Sequence, residues 1–146
     1  MNEIIVGIDI GGTNTKYGLV NTDGEVLFQS KVRTHDHTNF DEYIDFLSTE
    51  IKKSVSATDI NGTIIGIGIG APNANFYRGT IEQAPNLPWK GIVPIVDVIK
   101  QHFDVPVLIT NDANAAAMGE MIYGNAKGMK DFIVITLGTG LGSGIV

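Results

Sequence analysis

The chain has no cysteine in its 146 residues, which removes disulfides and thiolate metal sites from these residues. Charge is also sparse: Asp, Glu, Lys and Arg make up 18% of the chain. The minority sign is basic, with 10 Lys and Arg against 16 Asp and Glu and a formal net charge of -6. No Lys/Arg cluster interrupts that balance, so the electrostatic attraction behind binding to nucleic acid or an anionic membrane has no source. No apolar run approaches the ~20 residues a membrane span requires, and no basic segment followed by an apolar stretch opens the chain. These absences lead to the expectation of a soluble, cytoplasmic protein with neither nucleic acid nor membrane as a partner.

Hydrophobic residues and glycine are plentiful. A hydrophobic content of 43% supports a globular core of ordinary domain size. Ile4 to Ile10 reads as a buried strand, Thr15 to Val20 as its hairpin partner, and Glu25 to about Arg33 as a third strand after the turn Asn21-Thr22-Asp23-Gly24. From Asn39 the period changes. Phe40, Ile44, Leu47, Ile51 and Val55 recur at spacings of three and four, behind Asn39 as a cap and Asp41-Glu42 in the first turn, which predicts an amphipathic helix.

Thr63 to Gly70 is apolar and glycine-studded, the mark of a central strand closely approached by a ligand or another backbone. A long proline-containing loop is predicted from Ala71 to about Gly91. Ile92, Ile95, Val96, Ile99 and Phe103 repeat at helical spacing, Val105 to Thr110 returns as a strand, and Asn111 to Tyr123 predicts a helix. A buried strand from Asp131 to Leu137 then enters a second glycine turn. The order β-β-β-α-β-α-β-α-β-β predicts an α/β fold with a mixed sheet and helical crossovers.

Two glycine turns carry the first chemical signal. Shifting the sequence by 126 positions lays Gly12, Thr13, Gly18 and Val20 on Gly138, Thr139, Gly144 and Val146. A phosphate needs several donors converging on a small volume, and Gly11, Gly12 and Thr13 offer backbone N–H groups with few Cβ atoms in the way, plus one hydroxyl. Gly138, Thr139 and Gly140 repeat the device. Asp9 stands where a carboxylate can hold Mg2+ against phosphates through water, and Lys16 adds a cation. The plainer alternative is a tight hairpin with a strand-end carboxylate. No Gly-x4-Gly-Lys-Ser/Thr occurs, and the first turn joins two strands, which separates it from P-loops and from the dinucleotide fingerprint.

Asn111-Asp112 closes a strand and opens a helix. Ligands of open α/β sheets bind beyond the carboxyl ends of strands, so Asp112 is placed to take a proton from an alcohol attacking a phosphoryl group, with Asn111 bonding neighbouring hydroxyls. Ordinary helix capping explains the same pair. In the long loop, Asn86 and the Gly70 backbone can touch a polyol and Trp89 can close a pocket, or the prolines can stiffen a surface loop with Trp89 in the core. His35-Asp36-His37 reads as a solvated link rather than a metal site, His102 as a surface residue near a helix end, and Glu120 as structural.

Ile8-Asp9-Ile10-Gly11-Gly12-Thr13, Ala84-Pro85-Asn86-Leu87, Asn111-Asp112-Ala113-Asn114-Ala115-Ala116 with Gly119-Glu120, and Leu137-Gly138-Thr139-Gly140-Leu141-Gly142-Ser143-Gly144 together resemble the ROK family of sugar kinases and repressors. The resemblance implies an actin-like ATPase (ribonuclease H-like) lobe: a mixed five-stranded sheet with flanking helices over 1–125, and the first hairpin of a second lobe over 126–146. It also implies ATP- and Mg2+-dependent phosphorylation of a hexose, most often glucose at its 6-hydroxyl. On this pattern Asp112 is the catalytic base, and Asn111, Asn86 and Gly70 line the sugar side. Asp9 is the Mg2+ partner, while Gly11 to Thr13, Lys16 and Gly138 to Gly140 hold phosphates.

In the family, sugar-binding Glu and His residues, a cysteine-rich structural zinc motif and most of the adenine pocket follow the second phosphate motif. The chain is thus expected to represent an N-terminal half, inactive alone and homo-oligomeric when full length. The zero cysteine count fits truncation as well as a zinc-free member. A sugar-responsive repressor and a non-kinase ATPase switch are the alternatives. Only Met1-Asn2-Glu3 precede the first strand, where a repressor carries a DNA-binding segment.

Overall fold

The computed structural model describes residues 2–58, 60, 62–137 and 141–146. Three strands come first: β1 (Asn2–Ile10), β2 (Asn14–Asn21) and β3 (Val26–Arg33). Helix α1 (Phe40–Ala57), strand β4 (Gly62–Ala71), and the short strands β5 (Ala74–Asn75), β6 (Thr80–Glu82) and β7 (Ile92–Val93) follow. Then come α2 (Ile95–Lys100), β8 (Val107–Asn111), α3 (Asp112–Ile122), β9 (Ile133–Leu137) and β10 (Leu141–Ile145). The predicted mixed sheet is present with order β3-β2-β1-β4-β8. The first three strands form an antiparallel meander, and β4 and β8 add in parallel after helical crossovers.

Alternation along β1 sets the two faces of this sheet. Ile4, Val6, Ile8 and Ile10 point into the core with Leu19 of β2 and Ile67 and Ile69 of β4, while Ile5, Gly7 and Asp9 take the opposite face. Helix α1 covers the core face with Tyr43, Ile44, Leu47 and Ile51, spaced at three and four as the periodicity requires. Its start is capped by Asn39, whose side chain accepts from Asp41 N at 2.9 Å and Glu42 N at 3.2 Å. Each such aliphatic side chain taken out of water contributes about 1.5–3 kcal/mol before entropy is subtracted.

Two expectations change. Between Ala71 and Gly91 the chain is not an irregular loop: β5, β6 and β7 pair into a three-stranded sheet. Asn73, at φ 51°, braces it by donating from Nδ2 to the carbonyls of Glu82 and Gln83. Strands of two or three residues are too short to leave a period in the sequence. The helix predicted from Ile92 also shrinks, because Ile92 and Val93 pair with β6 and the fixed ring of Pro94 precedes the first helical turn.

The β9–β10 pair forms its own two-stranded sheet and does not extend the five-stranded one. It packs on α3, and the alanines of that helix explain how. A Cβ on Gly144 would lie 2.6 Å from Ala113 O and 2.7 Å from Ala117 Cβ, and on the other side a Cβ on Gly70 would lie 3.3 Å from Ala115 Cβ. An alanine helix is thus held between a glycine of β4 and a glycine of β10, each contact closer than larger side chains would allow.

Candidate functional site

The β1–β2 turn is shaped by close approach. Gly11 and Gly12 both avoid the left-handed backbone region. A Cβ on Gly11 would fall 2.8 Å from Asn14 O, and the Gly11 amide already donates to that oxygen at 3.0 Å. Gly11 therefore closes the hairpin, and its N–H is not free for a phosphate. A Cβ on Gly12 would fall 2.7 Å from Asn86 O, so Gly12 exists to admit the backbone of the distant loop. The Gly12 and Thr13 amides have no acceptor among the described residues, and Thr13 is exposed. These two amides and the Thr13 hydroxyl are the donors this turn offers.

Next to the turn, one row of residues crosses the sheet on the face away from α1. Lys16 of β2 pairs with Asp9 of β1, Asp9 with Gly70 of β4, and Gly70 with Thr110 of β8. Asp112 begins α3 immediately beyond β8, and its Cα would lie 3.5 Å from a Cβ on Gly70. Gly70 is buried beneath that helix start, so its contribution is the absence of a side chain. Asp9 is exposed by area, yet the protein mass around its carboxyl raises its pKa above the ordinary value of 3.8; Lys16 opposes that shift and Asp112 adds to it by repulsion. Two carboxylates from opposite ends of the sequence thus sense one another across a glycine.

The capping alternative at α3 is realised together with this placement. Asn111 Oδ1 accepts from Ala113 N at 2.9 Å, and Asp112 Oδ1 accepts from the same amide at 2.8 Å. Asn111 Nδ2 and Asp112 Oδ2 have no partner among the described residues and are the atoms available to a ligand. Among the described residues no three His, Cys, Asp or Glu side chains cluster as metal ligands. Asp9 is the carboxylate that could hold Mg2+, a hard cation that takes one or two carboxylates, keeps several waters and fills its shell with substrate phosphates.

The loop after β6 brings Asn86 to the turn. Ala84, Leu87 and Trp89 anchor it in the core, while Asn86 itself is exposed. Lys90 Nζ donates to Pro85 O at 3.4 Å and Leu87 O at 3.3 Å, which holds the bend around Asn86. Trp89 is a core residue, 5% exposed, rather than an open pocket wall.

Gly138, Thr139 and Gly140 lie outside the described residues. The histidines take no part in the site. His37 stacks on Phe46 at 4.8 Å between ring centroids, and His102 Nε2 meets Asp45 Oδ1 at 3.1 Å between α2's end and α1. Glu120 Oε2 accepts from Asn125 N at 2.9 Å and is structural. Sequence reasoning missed Thr15, Thr34 and Tyr43, which form a buried hydrogen-bond chain behind the turn. Two threonines and a tyrosine at inward positions were the signal available.

A meander with two parallel additions, a glycine turn between its first strands and carboxylates gathered at the strand ends define a lobe of the actin-like ATPase fold. The chain belongs to the ROK family, whose profile matches residues 5–146. It is 38% identical over 144 residues to a glucokinase of Streptomyces coelicolor, covering 98% of this chain and 43% of the relative. It is also 38% identical over 144 residues to a xylose repressor of Caldicellulosiruptor bescii, covering 97% of this chain and 36% of the repressor. Among solved structures it superposes on a ROK glucokinase from Streptomyces griseus, in complex with glucose and AMPPNP, with a TM-score of 0.80 and 38% identity, covering 98% of this chain and 44% of that one. The chain thus spans less than half the length of the glucokinases it resembles.

Proposed function

We propose that the full-length protein is an ATP-dependent hexose kinase, with glucose the first candidate substrate, and that this chain is its N-terminal part, inactive alone. The observation that carries this reading is the convergence of Asp9, Asp112 and the Gly12-Thr13 donors at one end of the sheet, with Asn86 against the turn. Asp112 Oδ2 takes the proton from the sugar hydroxyl while its oxygen forms a bond to the γ-phosphorus and the bond to the β–γ bridging oxygen breaks, leaving ADP. Gly12 and Thr13 hold phosphate oxygens, Lys16 supplies positive charge, and Asn111 Nδ2 and Asn86 orient the sugar. Asp9 would hold Mg2+ through water, and the ion would supply neutralisation of phosphate charge. Gly138, Thr139 and Gly140 supply the second phosphate turn in this reading. Residues 1–125 form the lobe, and 126–146 begin a second one.

A sugar-sensing regulator is the second reading, favoured by the xylose repressor's equal identity. The two separate in an assay, on the full-length protein, of sugar phosphate formation from ATP across a panel of glucose, mannose, fructose and N-acetylated amino sugars. The kinase reading expects turnover on at least one hexose, and Asp112→Asn is expected to cut it about a thousandfold with sugar affinity kept. Sugar binding without any transfer would favour the regulator, and wild-type turnover in Asp112→Asn would remove Asp112 as the base.

A further inference from the structure

Behind the phosphate turn runs a polar chain that the proposed chemistry does not use. Tyr43 OH of α1 shares a 2.6 Å hydrogen bond with Thr15 Oγ1 of β2, and Thr15 shares a 2.8 Å bond with Thr34 Oγ1; all three residues are fully buried. Thr34 N donates to Thr13 O at 2.9 Å and so holds the last residue of the turn. Burial raises the Tyr43 hydroxyl's pKa far above its usual value, against the opposing bond to Thr15, which keeps it neutral. The Tyr43 ring meets Trp89 at 4.5 Å between centroids, and Trp89 Nε1 donates to His37 O at 3.1 Å.

Two routes therefore join the Asn86 loop to the Gly12-Thr13 turn. One is direct, through the Asn86 carbonyl in the space a Gly12 side chain would need. The other passes through the core, from Trp89 to Tyr43, Thr15, Thr34 and Thr13. Phenylalanine and valine would fill the Tyr43, Thr15 and Thr34 positions without the desolvation cost of three hydroxyls. What the hydroxyls add is a single satisfied arrangement, since a buried network with every partner present fixes one geometry. Among the described residues no buried side-chain polar atom lacks a partner.

We propose that Tyr43 and Thr15 are positioning residues that lock the sugar-side loop and the phosphate turn into one unit, so that sugar at Asn86 and phosphates at Gly12 and Thr13 strengthen each other's binding. The inference rests on the kinase reading of the site. Coupling between two binding equilibria is reciprocal, so sugar tightens nucleotide binding by the same factor as nucleotide tightens sugar binding. Tyr43→Phe keeps the ring on Trp89 and leaves Thr15 bonded to Thr34. Thr15→Val removes both bonds at similar size.

The experiment titrates a non-hydrolysable ATP analogue with Mg2+ into the full-length protein, with and without each hexose of the panel, by calorimetry and by the Trp89 emission taken as the difference from a Trp89→Phe reference. In the wild type, the preferred hexose is expected to tighten nucleotide binding about tenfold, and nucleotide alone to shift Trp89 emission. In Tyr43→Phe and Thr15→Val the coupling is expected to fall to about twofold, and the emission shift to vanish, with each ligand alone bound nearly as in the wild type. A residue with a purely structural role would lower the melting temperature and leave the ratio of affinities alone. Full coupling retained in whichever variants fold, Trp89→Phe included, overturns the proposal. Independent binding of both ligands to the wild type overturns the coupling alone, whereas failure of the nucleotide or of every hexose to bind overturns the kinase reading as well.

Discussion

The two glycine hairpins share a sequence pattern and use it for different purposes. In β1–β2 the glycines admit backbone: Gly11 makes room for Asn14 O and Gly12 for Asn86 O, and the Gly12 and Thr13 amides are left without an acceptor among the described residues. In β9–β10 Gly142 and Gly144 admit a helix, with Ala113 and Ala117 seated on the strand. The backing differs as well. Beneath the first hairpin lie Ile8, Ile10, Tyr17 and Leu19, all buried, whereas the second leaves Ile135 at 62% and Leu137 at 84% exposure on its outer face. A glycine motif reports that something comes close, and only the partner says whether that something is a loop, a helix or a ligand.

The largest test of this contrast is truncation of a matched pair. Ile8→Ala, under the first hairpin, is expected to cost about 2–5 kcal/mol of stability, because it empties a packed core position. Ile135→Ala, on the second, is expected to stay within about 0.5 kcal/mol in this 146-residue chain, because its side chain is mostly in water there. Denaturant titration of both variants reads the difference, and equal losses would erase the distinction.

Alanine at the glycines comes next in size. Gly12→Ala and Gly144→Ala each place a Cβ within 2.7 Å of a backbone oxygen, and each is expected to cost about 1–3 kcal/mol through overpacking. They should part in function. Gly12→Ala pushes Asn86 away from the turn and is expected to weaken nucleotide binding beyond what its melting temperature explains, while Gly144→Ala loosens the hairpin from α3. Calorimetric titration beside thermal melts tests this, and equal nucleotide affinity in the two folded variants would break the assignment.

The smallest effect concerns Asp9, whose carboxyl binds its proton more tightly in the folded than in the unfolded chain. Stability linked to that proton is complete below the ordinary value of 3.8 and is lost as pH rises through the raised folded value. At pH 7 Asp9 is therefore a net cost to the fold. Asp9→Asn should melt slightly higher than the wild type at pH 7, with the gap closing toward pH 3.8. A lower melting temperature at pH 7 would contradict the linkage.

Much of the fold was legible because it rests on short-range repetition. Alternation over Ile4 to Ile10, the three-four spacing from Phe40 to Val55 and the Asn39 cap all act within a few residues, so they are written locally. Asp112 was legible as a helix-opening carboxylate after a strand. The small sheet of β5, β6 and β7 was not, since pairs of two or three residues carry no period. Nor was the purpose of Gly12, whose neighbour Asn86 belongs to a remote loop.

By itself the sequence determined the alternating strands, the amphipathic helix, the glycine turn and the polar groups from which the proposed site is built. Only the tertiary structure decided which of them meet. It set Asp9 beside Asp112 across Gly70, spent the Gly11 amide on Asn14, and joined Trp89 to Thr13 through Tyr43, Thr15 and Thr34. The reason is physical: periodicity and capping are energies between residues near in sequence, whereas close packing and electrostatic repulsion depend on distances that exist only once the chain has folded.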